Sequence, residues 1–229
     1  MVRALQGPVD AICFDLDGTL VDTAPCIAAT LNAVLTERGM TPIDPSIVTT
    51  FIGGGVPRLL ERALRHLGVS PLASTVDTML DRYRALYLNA PGPPLLAYPG
   101  VAEALSELAQ MSIKLAVVTN TFERFAQTIL ARCAIAQPIQ LIVSADTLPQ
   151  RKPDPAPLRY ACDTLGVPPE RTVFVGDSSN DALAAAATPM RMVCVTYGYN
   201  EGKPVRQLPC AAILESMREL PGWVRAQRG

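Results

Sequence analysis

The sequence predicts an α/β fold, a parallel sheet with a helical insertion after its first strand. Three observations predict it. Short β-branched and aromatic runs have strand length, helical patterns lie between them, and one long helical stretch breaks the alternation. Residues 9–14 form the first run and read as a buried strand. Residues 24–94 follow as the insertion. Ile27, Leu31, Val34 and Leu35 share one helical face, Leu59, Leu60, Ala63, Leu64 and Leu67 share another, and residues 75–88 continue the pattern. The stretch ends in Pro91-Gly92-Pro93-Pro94, a stiff, turn-rich connector. Residues 1–23 and 95–229 are therefore expected to form the core. There a helix at 102–111, with Leu105, Leu108 and Ala109 on one side, leads to a strand at 113–119. A helix at 122–132, a strand at 138–144, a helix at 156–165, a strand at 172–176, a helix at 181–187 and a strand at 191–196 complete the alternation. Ligands of such sheets bind beyond the carboxyl ends of the strands.

Composition narrows the function classes. The chain has 229 residues, 49% apolar, which is enough for a sizeable core, and 18% charged, below the usual quarter. Disorder is excluded on that ground. A net charge of −1 supplies no basic field for nucleic acid or an anionic membrane, so the expected partner is a small soluble molecule. No apolar stretch approaches the ~20 residues of a membrane span, and the first residues do not read as a secretory signal. Six cysteines, Cys13, Cys26, Cys133, Cys162, Cys194 and Cys210, form no C-x-x-C pair or zinc-like spacing. Several sit inside apolar runs, where a thiol packs as a small hydrophobe. A reducing cytoplasm fits, with the chain either a monomer or a homodimer.

The chemistry is concentrated at strand ends. The first strand runs into Asp15-Leu16-Asp17-Gly18-Thr19-Leu20. Two carboxylates placed together repel, and a metal ion or a shared proton is the usual remedy. Taken alone, this motif equally describes a solvated Asp-Gly turn. Thr119-Asn120 closes the next strand and alone is an ordinary helix cap. Arg151-Lys152-Pro153-Asp154-Pro155 follows the third and alone is a surface loop. Asp177-Ser178-Ser179-Asn180-Asp181 closes the fourth with two more acids. Their joint order is the specific signal, because a parallel sheet converges its loops at one edge.

This order of Asp-x-Asp, Thr, Lys and Asp-x-x-x-Asp resembles the phosphatase branch of the haloacid dehalogenase superfamily, and the helical insertion resembles that superfamily's C1-type cap. The resemblance implies a Rossmann-like core and a Mg²⁺ cofactor. It implies that Asp15 attacks phosphorus and binds the metal through its other oxygen. Asp17 would give the metal a main-chain carbonyl and act as acid, then base. Asp177 would bind the metal directly. Asp181, counted with the metal-holding acids, would hold metal waters or Lys152. Thr119 and the Asn120 amide would bind phosphoryl oxygens, and Lys152 would neutralise developing charge. Other phosphatase chemistries lack their residues. His66 is the one histidine and sits in the insertion as a surface residue. No cysteine has an arginine six positions on, and there is no P-loop. Gly53-Gly54-Gly55 follows no strand and is no dinucleotide fingerprint.

Residues 15–22, D-x-D-G-T-L-V-D, together with Tyr197-Gly198-Tyr199-Asn200 and Ile52-Gly53-Gly54-Gly55, resemble the phosphoglycolate phosphatase family. That likeness implies 2-phosphoglycolate as substrate. N-acetylmuramate 6-phosphate phosphatases share these features, and a phosphomutase or an idle binding module on the same fold are further readings. Gly54 would sit at the cap tip, and Arg58 is either a bidentate partner for a substrate carboxylate or a solvated helix charge. Residues 184–190, A-A-A-A-T-P-M, depart from the family's usual Ala-Gly before the last strand.

Overall fold

A computed structural model describes residues 7–89 and 93–227. The chain runs through β1 (Ala11–Phe14), β2 (Val21–Asp22), α1 (Ala24–Glu37), α2 (Pro45–Thr49), α3 (Val56–His66), α4 (Ala73–Asn89) and β3 (Leu96–Ala97). It continues through α5 (Val101–Gln110), β4 (Lys114–Val118), α6 (Glu123–Arg132), β5 (Leu141–Val143), α7 (Ala156–Leu165) and β6 (Thr172–Gly176). It closes with α8 (Ser179–Ala186), β7 (Arg191–Val195), β8 (Ala212–Leu214) and α9 (Leu220–Ala226), besides short 3₁₀ turns.

Among the described residues, six strands form one sheet in the order β5-β4-β1-β6-β7-β8, every pair parallel. Helices cover both faces, which is why the strands read as continuous apolar runs. Successive side chains still divide between two cores. Ile12 and Phe14 join Leu115, Val117, Val173 and Val175 on one face. Ala11 and Cys13 join Ala116, Val118 and Phe174 on the other, against Leu158, Ala161 and Cys162 of α7. All six thiols are free, and burial pushes the Cys13 thiol far up.

Register sets the site. Phe14 stands opposite Val117 and Val175. Position 15, one residue past Phe14, and positions 119 and 177, two past Val117 and Val175, therefore emerge together at the carboxyl edge. The ladder carries on into these loops: Asp15 N donates to Val175 O at 2.8 Å and Thr119 N to Val143 O at 2.9 Å.

The helices α1–α4 lie between two short strands that pair with each other. Val21 faces Ala97 and Asp22 faces Leu96, antiparallel. Within this segment α1 packs on α2 and α4, and α3 on α4. The α3 face of Leu59, Leu60 and Leu64 is buried, each side chain contributing about 1.5–3 kcal/mol. His66 is exposed at the far end of α3, its ring centroid 5.8 Å from that of Phe51.

Several boundaries differ from the sequence reading, each for a local reason. The strand expected from residue 138 contracts to Leu141–Val143 because Pro138 has no N–H and Ile139 N turns back to Ala136 O at 3.1 Å. The helix expected from residue 181 begins at Ser179. Ser178 and Asp181 form a reciprocal capping box that starts it earlier. β8 was not expected at all. Pro91 and Gly92 of the expected connector lie outside the described residues.

Candidate active site

Asp15 leaves β1 with its carboxylate turned into the sheet edge. Its Oδ1 accepts from Leu16 N at 2.7 Å and lies 2.8 Å from Lys152 Nζ. The same ammonium donates to Asp181 Oδ1 at 2.7 Å. Lys152 is buried, with 5% of its surface exposed. Burial alone would lower its pKa, but Asp15 and Asp181 outweigh that and hold it above its usual value. The other oxygen of Asp181 accepts from Ser178 N at 3.0 Å and from Ser178 Oγ at 2.6 Å. Both Asp181 oxygens are thus engaged in locating Lys152 and opening α8.

Asp177 is held from two sides. Its Oδ1 accepts from Thr19 Oγ1 at 3.2 Å. Its Oδ2 accepts from Tyr199 N at 2.6 Å and Asn200 N at 3.4 Å. Space around it is tight. A Cβ on Gly198 would stand 2.2 Å from Asp177 Cβ, and one on Gly18, at φ +85°, would stand 2.6 Å from Asp177 Oδ2.

Carboxylate oxygens of Asp15, Asp177 and Asp181 lie within 4.8 Å of one another. Burial, then the neighbouring Asp181, pushes the Asp15 carboxyl well above the usual range against the pull of Lys152. Burial and Asp181 likewise push Asp177 up to about 7. One ammonium does not balance three carboxylates. An oxygen-only, net negative and buried donor set suits a hard divalent cation such as Mg²⁺.

Asp17 points elsewhere. Its Oδ1 accepts from Thr23 Oγ1 and its Oδ2 from Thr121 Oγ1, both at 2.6 Å. Its side chain lies outside the three-carboxylate cluster, and Asp17 and Asp15 both line a cavity of about 40 Å³. Thr119, Asn120 and Thr121 complete the polar end. Ile27, Val56, Leu59, Tyr83, Tyr87 and Phe125 form the apolar wall, where Tyr87 stacks on Phe125 at 4.6 Å between centroids.

The glycine loop of residues 53–55 meets the sheet edge here. Gly53 O accepts from Asn120 Nδ2 at 3.0 Å and Asn180 Nδ2 at 3.3 Å. Asn120 Nδ2 also donates to Lys152 O at 2.9 Å. The Asn120 side-chain amide is therefore spent on backbone carbonyls. Gly53 and Gly55 line the cavity, and Gly54 does not. Arg58 is exposed and outside the lining, its side chain folded over Gly54.

The structure thus brings together Asp15, Asp17, Thr119, Asn120, Lys152, Asp177 and Asp181, and leaves Gly54 and Arg58 at the rim. Sequence reasoning missed Thr19, Thr23, Thr121, Ser178 and Tyr199. Ser178 carried a readable signal, an S-x-x-D capping box.

Known proteins resemble this chain over most of its length. The haloacid dehalogenase-like hydrolase family matches residues 12–195. A phosphoglycolate phosphatase of Nitrosospira multiformis is 38% identical over 213 residues, covering 93% of this chain and 94% of that protein. A predicted phosphoglycolate phosphatase from Haemophilus somnus superposes with a TM-score of 0.86 at 30% identity, covering 94% of this chain and 97% of the other. CbbY from Rhodobacter sphaeroides, solved in complex with phosphate, gives 0.75 at 26% identity, covering 93% and 96%.

Proposed function

This chain belongs to the haloacid dehalogenase-like hydrolases and is a phosphoric monoester hydrolase similar to phosphoglycolate phosphatases; from that premise we propose that it hydrolyses 2-phosphoglycolate or a similarly small phosphate ester through Asp15. One observation carries the reading. Asp15 and Asp17 both line a single cavity while a buried ammonium stands 2.8 Å from Asp15.

In this reading an oxygen of Asp15 attacks phosphorus, the bond to the leaving oxygen breaks, and an aspartyl-phosphate forms. Asp17 gives the leaving oxygen a proton, then takes one from the water that hydrolyses the intermediate. Lys152 offsets the charge gathering on the phosphoryl oxygens, and Thr119 with the Asn120 main-chain N–H supplies donors to them. Asp15, Asp177 and the Asp17 main-chain carbonyl would hold Mg²⁺, with Asp181 supporting it through Lys152. The metal supplies the positive charge that lets a phosphate dianion approach a carboxylate. The segment at residues 24–94 acts as a cap, whose Tyr83, Tyr87 and Val56 keep bulk water from the intermediate.

Two facts support a small substrate. Relatives named phosphoglycolate phosphatase match over nearly the whole chain. The cavity lined by Asp15 and Asp17 is small, about 40 Å³. No described helix is long and apolar enough to cross a membrane. The test is phosphate release with Mg²⁺. A kcat/KM for 2-phosphoglycolate about a hundredfold above that for N-acetylmuramate 6-phosphate, roughly 2.7 kcal/mol, is expected, with Asp15→Asn inactive. Activity surviving Asp15→Asn overturns the mechanism, and a lead for the sugar phosphate overturns the substrate.

A further inference from the structure

Tyr199 lies outside the cavity, yet it makes more polar contacts than any group in the proposed mechanism requires. Its main-chain N–H holds Asp177 Oδ2 at 2.6 Å. Its hydroxyl donates to Asp22 Oδ1 at 2.7 Å and accepts from Thr23 N at 2.8 Å and Ala24 N at 2.9 Å. One proton and two lone pairs are thereby all used. The three partners are consecutive residues: the end of β2, the N-cap of α1 and the first residue of α1.

α1 needs this outside help. Its first N–H groups have no helical acceptors, and its N-cap residue would ordinarily supply one. Thr23 makes no side-chain cap bond; its hydroxyl donates instead to Asp17. A tyrosine from the far end of the chain replaces the missing cap. The loop around it is fixed at the other end: Tyr197 Oη donates to Thr19 O at 3.0 Å, and the Tyr197 ring packs on Tyr98 at 4.4 Å between centroids. Glycine at 198 lets the loop lie against Asp177.

We propose that Tyr199 is a positioning residue that joins the Asp177 carboxylate to the first turn of α1, so that filling the acidic site and seating the helical segment favour each other. This rests on the reading of Asp177 as a metal ligand. The coupling is reciprocal: what steadies Asp177 steadies the α1 end, and loosening that end loosens Asp177.

Cys26 reports on the junction. It lies in the first turn of α1, is 7% exposed, and its Sγ donates to Pro93 O at 2.9 Å, on the segment where the chain returns to the core. The experiment follows modification of Cys26 by a thiol reagent, read by peptide mass spectrometry, with and without Mg²⁺. In the unaltered protein Mg²⁺ slows labelling. In Tyr199→Phe, which keeps the ring and removes the three hydroxyl bonds, labelling is expected to be about tenfold faster, the equivalent of one net hydrogen bond, and indifferent to Mg²⁺. Asp22→Ala removes a single one of the three bonds and decides the same question at smaller amplitude if Tyr199→Phe does not fold. Labelling unmoved by Mg²⁺ in the unaltered protein, or faster labelling in the variants with Mg²⁺ protection intact, overturns the coupling. Mg²⁺ protection in a protein that releases no phosphate leaves the coupling standing and removes the phosphatase reading instead.

Discussion

Replacing Lys152 by methionine removes the one cation among three buried carboxylates and leaves an unbranched side chain one atom shorter. Lys152 Nζ stands 2.8 Å from Asp15 and 2.7 Å from Asp181, with 2% of its side chain exposed. At an effective dielectric of about 20, each attraction is about 6 kcal/mol before desolvation is counted. Desolvation cancels most of that, and breaking a buried pair from one side costs about 3–5 kcal/mol. A loss of that size lowers a urea midpoint by about 1–2 M in metal-free buffer. Added Mg²⁺ recovers part of it, because the cation replaces the lost charge, so Mg²⁺ stabilises the variant more than the unaltered protein. Activity falls as well, by about 10²–10³ in kcat/KM, since a donor to the developing charge is gone. Urea unfolding with EDTA or Mg²⁺, beside phosphate release, measures both. An unchanged midpoint in EDTA, or kcat/KM within about threefold of the unaltered protein, would refute the account of Lys152.

Two further predictions concern Asp177. Its folded pKa of about 7 lies above its unfolded value of 3.8, so the native state binds the proton more tightly, and stability is lost as pH rises from about 4 to about 7, by roughly 4 kcal/mol in metal-free protein. Urea midpoints in EDTA should therefore be higher near pH 5 than near pH 7.5, and saturating Mg²⁺ should remove the difference; a midpoint that rises with pH in EDTA contradicts this. Gly198→Ala places a methyl group 2.2 Å from Asp177 Cβ and should weaken Mg²⁺ binding by about 10–100-fold, measured by calorimetry; unaltered affinity would show that the loop yields freely.

The core was legible because its central strands β1, β6 and β7 are buried along their whole length and announce themselves as apolar runs. Residues 172–176 matched β6 to the residue. β8 escaped because three residues at a sheet edge, following Pro209 and Cys210, carry no period to read. β2 and β3 have two residues each and acquire meaning only when paired. For the site, side chains one step past a strand end were placed correctly by topology, since register alone brings Asp15, Thr119 and Asp177 to one edge. What the sequence hid were contacts across long separations, such as Thr121 on Asp17 or Tyr199 on Thr23. A threonine directly after a motif, or a tyrosine in a loop, has many ordinary explanations. Arg58 shows the converse: its position after the glycine loop suggested a role, but α3 turns it to solvent.

The pairing of Val21 with Ala97 and of Asp22 with Leu96 has a consequence for how such a chain can vary. Departure and return are side by side, so whatever is spelled between them adds nothing to the span the sheet must bridge. The cost of closing a longer or shorter excursion grows only with the logarithm of its length. That junction is a socket. Lineages, or a protein engineer, can exchange the helices plugged into it for a different enclosure and so change which molecules are admitted, while the strands behind keep their neighbours and their register.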